Sequence, residues 1–349
     1  MRDREDVIDG KGLSELIISV PHLLGVFPTD SVVVLPYYSI EPLRFRWAIR
    51  ESIADLVSGI ASLDRLGDFL ANLNWDRAVI LIVGGGSQSR TDRPPHAKLV
   101  DDLGNLLQSR GIGVVDSVWA PDITRGAKWI RYSGAGMRTG RLADPRSCQA
   151  AAQAVTTGKI IHDDLQDLLD SIKPDEGEAV RQRRWRMWLL ERNNGGLPDG
   201  GVGKLFCRVR RVRQAIRAAE DGVLPDNDRQ IVLLGWALKE RLIWESSLRN
   251  SFTAQRFAAH RLWLDLTRRL PDRHRAEPAA LLSLSAALLG QPELAKASAR
   301  VAAMANPDDG HITAFADHMS YGVVQCAVVN RIDATSAAAT GQISDLLCG

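Results

Sequence analysis

The sequence predicts an α/β domain, with a mixed or mostly parallel sheet and flanking helices, followed by an all-α domain. Three observations carry that prediction. Residues 78–83 form a continuous apolar run, Ala78-Val79-Ile80-Leu81-Ile82-Val83, as expected of a strand buried on both faces of a sheet. Strand and helix patterns alternate up to about residue 132, the signature of a layered α/β fold. Beyond Ser147 the strand signals fade and helical periodicity recurs to the end of the chain.

The elements follow in order. Leu13, Leu16, Ile17, Val20, Leu23 and Leu24 keep a helical rhythm that Gly25 stops. Pro28-Thr29-Asp30 reads as a turn, and Ser31-Val32-Val33-Val34-Leu35 as a buried β-branched strand. Residues 43–49 alternate apolar and polar strictly, so they are expected to pair with that strand as a hairpin. Leu63, Leu66, Phe69, Leu70 and Leu73 share one face of a helix over 62–73. Gly84-Gly85-Gly86 ends the 78–83 strand. A helix marked by Leu99, Leu103, Leu106 and Leu107 stops near Gly111, and Val114 to Trp119 form a third core strand. Residues 128–132 add an edge strand. Helices are expected over 148–155, 163–172, 178–191, 205–220, 228–248, 254–270 and 278–290. The turn-rich stretch 172–177 separates an α/β domain, 10–172, from a helical domain, 178–332. Residues 333–349 read as a weakly structured tail.

Bulk composition excludes several classes. The 349 residues include 45% hydrophobic and 25% charged, which fits a folded globular chain. A net charge of +2 is too small to imply nucleic acid from the whole chain, so any basic surface must be argued locally. Cys148, Cys207, Cys326 and Cys348 show no zinc or redox spacing and suggest reduced thiols. No run approaches the ~20 apolar residues that span a bilayer, and the N-terminus has no apolar signal core. A cytoplasmic protein without membrane contact is the expectation.

Candidate chemistry is sparse. Gly84, Gly85 and Gly86, with Ser87 and Ser89, follow a buried strand, where backbone N–H groups can hold an anion. The loop lacks both G-x-x-x-x-G-K-[ST] and G-x-G-x-x-G. Asp30 is a candidate acid, base or ligand at the strand entrance, although such an Asp more commonly caps a turn. His22, beside apolar residues, reads as a buried, satisfied histidine rather than a titrating one. No HExxH and no G-x-S-x-G occurs, so no catalytic residue, metal ligand or cofactor is assigned. The densest charge lies between residues 181 and 217. It includes Arg183, Arg184, Arg186, Arg208, Arg210, Arg211 and Arg213, interleaved with Trp185, Trp188 and Phe206. Basic helices with interleaved aromatics can bind a polyanion. The alternative is that Trp185, Trp188 and Leu189 face a core and leave the arginines solvated. Trp236 and Trp244, eight residues apart, are expected to share a helix face.

Residues 20–34, Val-Pro-His-Leu-Leu-Gly-Val-Phe-Pro-Thr-Asp-Ser-Val-Val-Val, resemble the opening of an actinobacterial family known as domain of unknown function 4192. The aromatic strand Trp129-Ile130-Arg131-Tyr132, the helix from Ala150 to Val155, and residues 263–290 are similar as well. Relatives often carry a Cys-Cys-Pro cluster where this chain has Ser133-Gly134-Ala135-Gly136-Met137. The resemblance implies a fold and a bacterial or phage setting, and no activity. Leu282, Ser283, Gly290, Ala295, Ala302 and Pro307 also sit at the spacing of one tetratricopeptide-like helix hairpin.

The leading expectation is a non-enzymatic binding or scaffold protein that engages a protein partner through its helical domain, with Trp263 and Leu282 on the contact surface. The alternatives are a small-ligand or nucleotide protein using Asp30 and the Gly-rich loop, and nucleic-acid or other polyanion binding through the arginine segment. The sequence leaves oligomeric state open.

Overall fold

The computed structural model describes residues 8–38, 45, 47–59, 61–86, 94–132, 139–156, 159–193, 202–324 and 326–348. The chain divides into two compact units. One comprises residues 1–168 with 290–293, and the other comprises 169–289 with 294–349.

The first unit opens with helix α1 (Gly10–Leu24). Asp9 caps its start by accepting from the Gly12 N–H, and Gly25 closes it at φ 85°, a left-handed conformation that a glycine adopts without strain. Strand β1 (Ser31–Tyr37) is buried along its whole length. Strand β2 (Ile49–Ser52) pairs antiparallel with it. The expected hairpin partner is therefore displaced. Of residues 43–49, only Ile49 lies in the strand; Phe45, Trp47 and Ala48 do not, and residues 43, 44 and 46 lie outside the described residues. Ser52 then caps α2 (Ile53–Ser58), whose Asp55 N–H it receives.

Helix α3 (Leu63–Asn72), capped by Ser62, leads to β3 (Arg77–Val83). After α4 (Ala97–Ser109) the chain returns in β4 (Gly113–Ala120), parallel to β3. Strands β5 (Lys128–Arg131) and β6 (Thr139–Arg141) complete a six-stranded sheet of order β2-β1-β3-β4-β5-β6. The sheet is mixed and contains one parallel pair, β3–β4; its other pairings are antiparallel. The apolar run in β3 reflects its central position, which buries both faces whatever the direction of its neighbours. Strand β5 is covered by β6 and is not the edge. Helix α3 packs on α4, α4 on β4, and α1 on β6 and α5 (Gln149–Thr156). Asp116 and Arg131 pair at 2.9 Å within the sheet, with both side chains buried.

Helix α6 (Leu165–Ser171) precedes the second unit's helices. These are α7 (Glu178–Asn193), α8 (Val202–Glu220), α9 (Asp228–Leu238), α10 (Arg241–Leu248), α11 (Arg256–Arg269), α12 (Ala276–Leu288), α13 (Pro292–Ala305), α14 (Gly310–His318) and α15 (Cys326–Cys348). The helix expected over 228–248 is broken at Lys239–Glu240, so Trp236 and Trp244 lie on different helices, both buried. The tail expectation is also corrected. Residues 333–348 belong to α15, which packs on α10. Ser336, Ala339 and Ile343 form its buried stripe, and small side chains let the helices approach closely where propensity alone gave a weak signal. Gly290 stands between α12 and α13 at φ 70°, Ala295 and Ala302 are fully buried, and α13 ends two residues before Pro307.

Candidate functional site

The edge at which β3 and β4 both end gathers an unusual amount of left-handed backbone. Asp30 (φ 42°), Gly84 (73°), Gly85 (73°), Gly86 (135°) and His96 (61°) all lie there. Positive φ costs an Asp or His side chain energy, and such outliers persist only where surrounding bonds hold them. The bonds are present. Asp30 Oδ1 accepts the Gly85 N–H at 2.6 Å, and the Asp30 carbonyl accepts from the Ile53 N–H at 3.0 Å. His96 Nε2 lies 2.6 Å from the Gly85 carbonyl. A carbonyl only accepts, so Nε2 carries the proton and donates it. Trp119 Nε1 donates to the Gly84 carbonyl at 2.9 Å. A Cβ on Gly85 would sit 2.4 Å from His96 Nε2 and 2.9 Å from Ile53 Cδ1, so only glycine fits there.

The structure thus brings Asp30 to Gly84, Gly85 and Gly86, and adds His96, which no sequence spacing singled out. It also assigns Asp30 a local job. Its carboxylate already holds the Gly85 amide that an anion would need, and the N-cap of α4, His96, is itself bonded to the Gly85 carbonyl. Ser87 and Ser89 lie outside the described residues. His22 is buried and donates from Nε2 to the Pro145 carbonyl at 2.8 Å, a packing role. Lys159 is buried too, and its ammonium donates to the carbonyls of His22, Leu23 and Gly290. Burial lowers its pKa to about 8.

The basic segment divides sharply between inward and outward arginines. Arg183 is 4% exposed and pairs with Asp228 at 3.1 Å, while donating to the carbonyls of Ala179 and Arg269. Arg208 is buried. Arg184 makes a two-pronged bond to Asp272, 2.5 and 2.7 Å, in the open. These three belong to the architecture. Arg186 and Arg211 are half-buried, whereas Arg210, Arg213 and Arg217 are exposed. Phe206, Arg210, Arg213 and Arg217 recur at helical spacing along one stripe of α8. The three arginines have no acidic partner among the described residues.

Of the two orientations the spacing allowed for the tryptophans, the core-facing one is not adopted. Trp185 is 59% exposed and Trp188 48%, with Phe206 at 45%, while Met187 and Arg183 face inward. Trp185 and Trp188 share a face of α7 with Arg192, whose guanidinium lies 5.3 Å from the Trp188 ring centroid. Helices α7 and α8 both pack on α9, where Met187, Val232 and Trp236 form a small core.

Trp263 and Leu282 occupy the opposite environment. Each is 0% exposed, inside the packed pair α11 and α12. The folded surface does not present them, so the expectation that they form a contact surface is withdrawn. Tryptophan marks cores as well as interfaces, and only burial separates the two.

A titratable cluster lies on the helical unit. Glu191 receives Lys239 and Arg273, each at 2.8 Å, and His274 Nε2 is 3.5 Å away. Burial pushes the Glu191 carboxyl up, but the bonds from Lys239 and Arg273 outweigh it and hold the pKa below the ordinary value. Burial, then Lys239, lowers His274 to about 4. Glu277 is buried, with Oε2 unpartnered among the described residues, and burial raises it to about 7. No group of three His, Cys, Asp or Glu side chains among the described residues is placed to hold a metal.

Fold and surfaces define a class: a mixed α/β sheet unit joined in one chain to an all-helical unit that carries a basic, aromatic face. The chain belongs to the family described as Domain of unknown function (DUF4192), whose sequence profile matches residues 14–312. No curated protein and no solved structure matches it.

Proposed function

We propose that this is a non-enzymatic binding protein whose helical unit engages an acidic macromolecular partner through the outward face of α7 and α8. One observation carries the reading. Three large aromatics, Trp185 and Trp188 on α7 and Phe206 on α8, stand about half exposed, and Arg210, Arg213 and Arg217 on the Phe206 stripe of α8 have no acidic partner among the described residues. Exposed tryptophan costs apolar hydration, and Trp and Arg are the side chains most enriched where surfaces bind. The surface replaces Trp263 and Leu282 as the place of contact. Scattered cysteines fit a cytoplasmic setting, and no helix among the described residues is long and apolar enough to cross a membrane.

Retention of the full chain on immobilised heparin tests the proposal. Arg210→Glu/Arg213→Glu/Arg217→Glu should elute at a clearly lower salt concentration than the unaltered protein, because each reversal removes a screened attraction. Equal elution of the two would contradict it.

A second reading is favoured by the left-handed backbone at Asp30, Gly84, Gly85, Gly86 and His96. Strain of this kind accompanies ligand sites, and the ends of parallel strands are where α/β sheets bind small molecules. Native mass spectrometry of the freshly purified chain tests it. A bound nucleotide or metabolite would support it, and a bare polypeptide mass would count against it.

A further inference from the structure

Resting on the proposed binding face, we infer that its occupant is a single-stranded nucleic acid, whose bases stack on Trp185, Trp188 and Phe206 while its phosphates track Arg210, Arg213 and Arg217. Charge complementarity selects a polyanion. Helix α8 carries six basic residues, and Glu220 at its last position is its one acidic residue. The pattern of aromatics then selects among polyanions. Heparin or an acidic peptide offers charge but no regular π-faces, whereas a single strand offers an unpaired base every nucleotide. Trp185 and Trp188 lie one helical turn apart on a shared face, and Arg192 already stacks on the second ring. A duplex hides its bases and would leave these rings against water.

A second feature agrees. Arg213 borders a pocket of about 160 Å³ that mixes the apolar Val212, Ile216 and Ile243 with Ser246 and Asn250. Apolar side chains with a few hydrogen-bonding groups among them suit one nucleobase beside a phosphate held by Arg213. Stacking tolerates any base, so the interaction is expected to show little sequence preference.

Fluorescence anisotropy with labelled 20-nucleotide oligo(dT), oligo(U) and a duplex of equal length tests the inference on the full chain. The single strands should bind more tightly than the duplex. Trp185→Ala/Trp188→Ala should weaken binding by about tenfold or more without changing the salt dependence. Trp185→Phe/Trp188→Phe, which keeps π-faces, should restore most of that loss. Arg210→Glu/Arg213→Glu/Arg217→Glu should weaken binding and reduce the slope of log K against log salt by about 2, at ~0.7 per phosphate contact on a single strand. Absence of oligonucleotide binding while heparin retention still depends on the three arginines overturns this inference and leaves the binding face standing. Loss of both overturns the two together. Duplex preference, or tryptophan variants that bind as the unaltered protein does, also overturns it. Melting profiles unchanged in the variants exclude misfolding as the cause, since surface substitutions usually change stability little.

Discussion

Glu277→Gln should flatten part of the pH dependence of stability. The carboxyl of Glu277 is buried on α12, its Oε2 lacks a partner among the described residues, and burial raises its pKa from 4.5 to about 7. Lys239 and Arg273 pull the value down, and Asp309 pushes it up, without reversing the effect of burial. The sign follows from proton counting. Below pH 4.5 the group is protonated in both states and costs nothing electrostatically. Between 4.5 and 7 the unfolded chain gives up the proton first, so the folded state binds more protons and stability falls as pH rises. Above 7 the whole penalty is present. A tenfold change in proton affinity corresponds to about 1.4 kcal/mol, so the penalty is on the order of 3 kcal/mol. Glutamine cannot ionise and escapes it, while any cost of burying its amide is the same at every pH. Urea unfolding of both proteins at pH 4.5, 6 and 8 gives the difference directly. The variant should gain by about 3 kcal/mol relative to the unaltered chain between the first and last of these. A difference constant across that range would refute the assignment of a buried, neutral Glu277.

The remaining expectations concern the fold and the two surfaces. Trp263→Ala should destabilise the chain by about 3–5 kcal/mol in denaturant, the cost of a cavity at a fully buried indole, whereas a contact residue would cost far less. Arg183→Ala should cost clearly more than Arg213→Ala, because it removes a buried side chain that pairs with Asp228 and bonds the carbonyls of Ala179 and Arg269, while Arg213→Ala should stay within about 0.5 kcal/mol in the same assay. Gly85→Ala should lower the thermal midpoint measurably, since its Cβ would meet His96 Nε2 at 2.4 Å in a conformation with φ 73°; an unchanged midpoint would show that the loop can rearrange freely.

Legibility in the sequence followed the strength of local physics. The buried run of β3, the helix ending at Gly25 and the Ser62-capped helix α3 were readable because hydrophobic period and capping chemistry are local signals. The strand displaced to Ile49–Ser52 was not, because pairing register depends on the partner and because Arg50 and Glu51 are polar yet buried. Arg50 lies against Glu293, 243 residues away, at 2.9 Å, a contact no window of sequence reveals. Helix α7 misled for a different reason. Its apolar residues cluster at 187–190, so several faces fit the spacing, and Arg183 took the interior through its bond to Asp228 while Trp185 and Trp188 turned outward. Trp263 and Leu282 showed the converse, interface-type residues spent on a core. The Asp30–Gly85–His96 arrangement joins three separated segments, and only two of them carried a sequence signal.

Hydrogen–deuterium exchange of the full chain, with and without a saturating polyanion, locates the binding face. Protection should concentrate in peptides covering 178–193 and 202–220, with little change around Asp30 and Gly84–Gly86. Protection at that sheet edge, or none on α7 and α8, would contradict the proposed face.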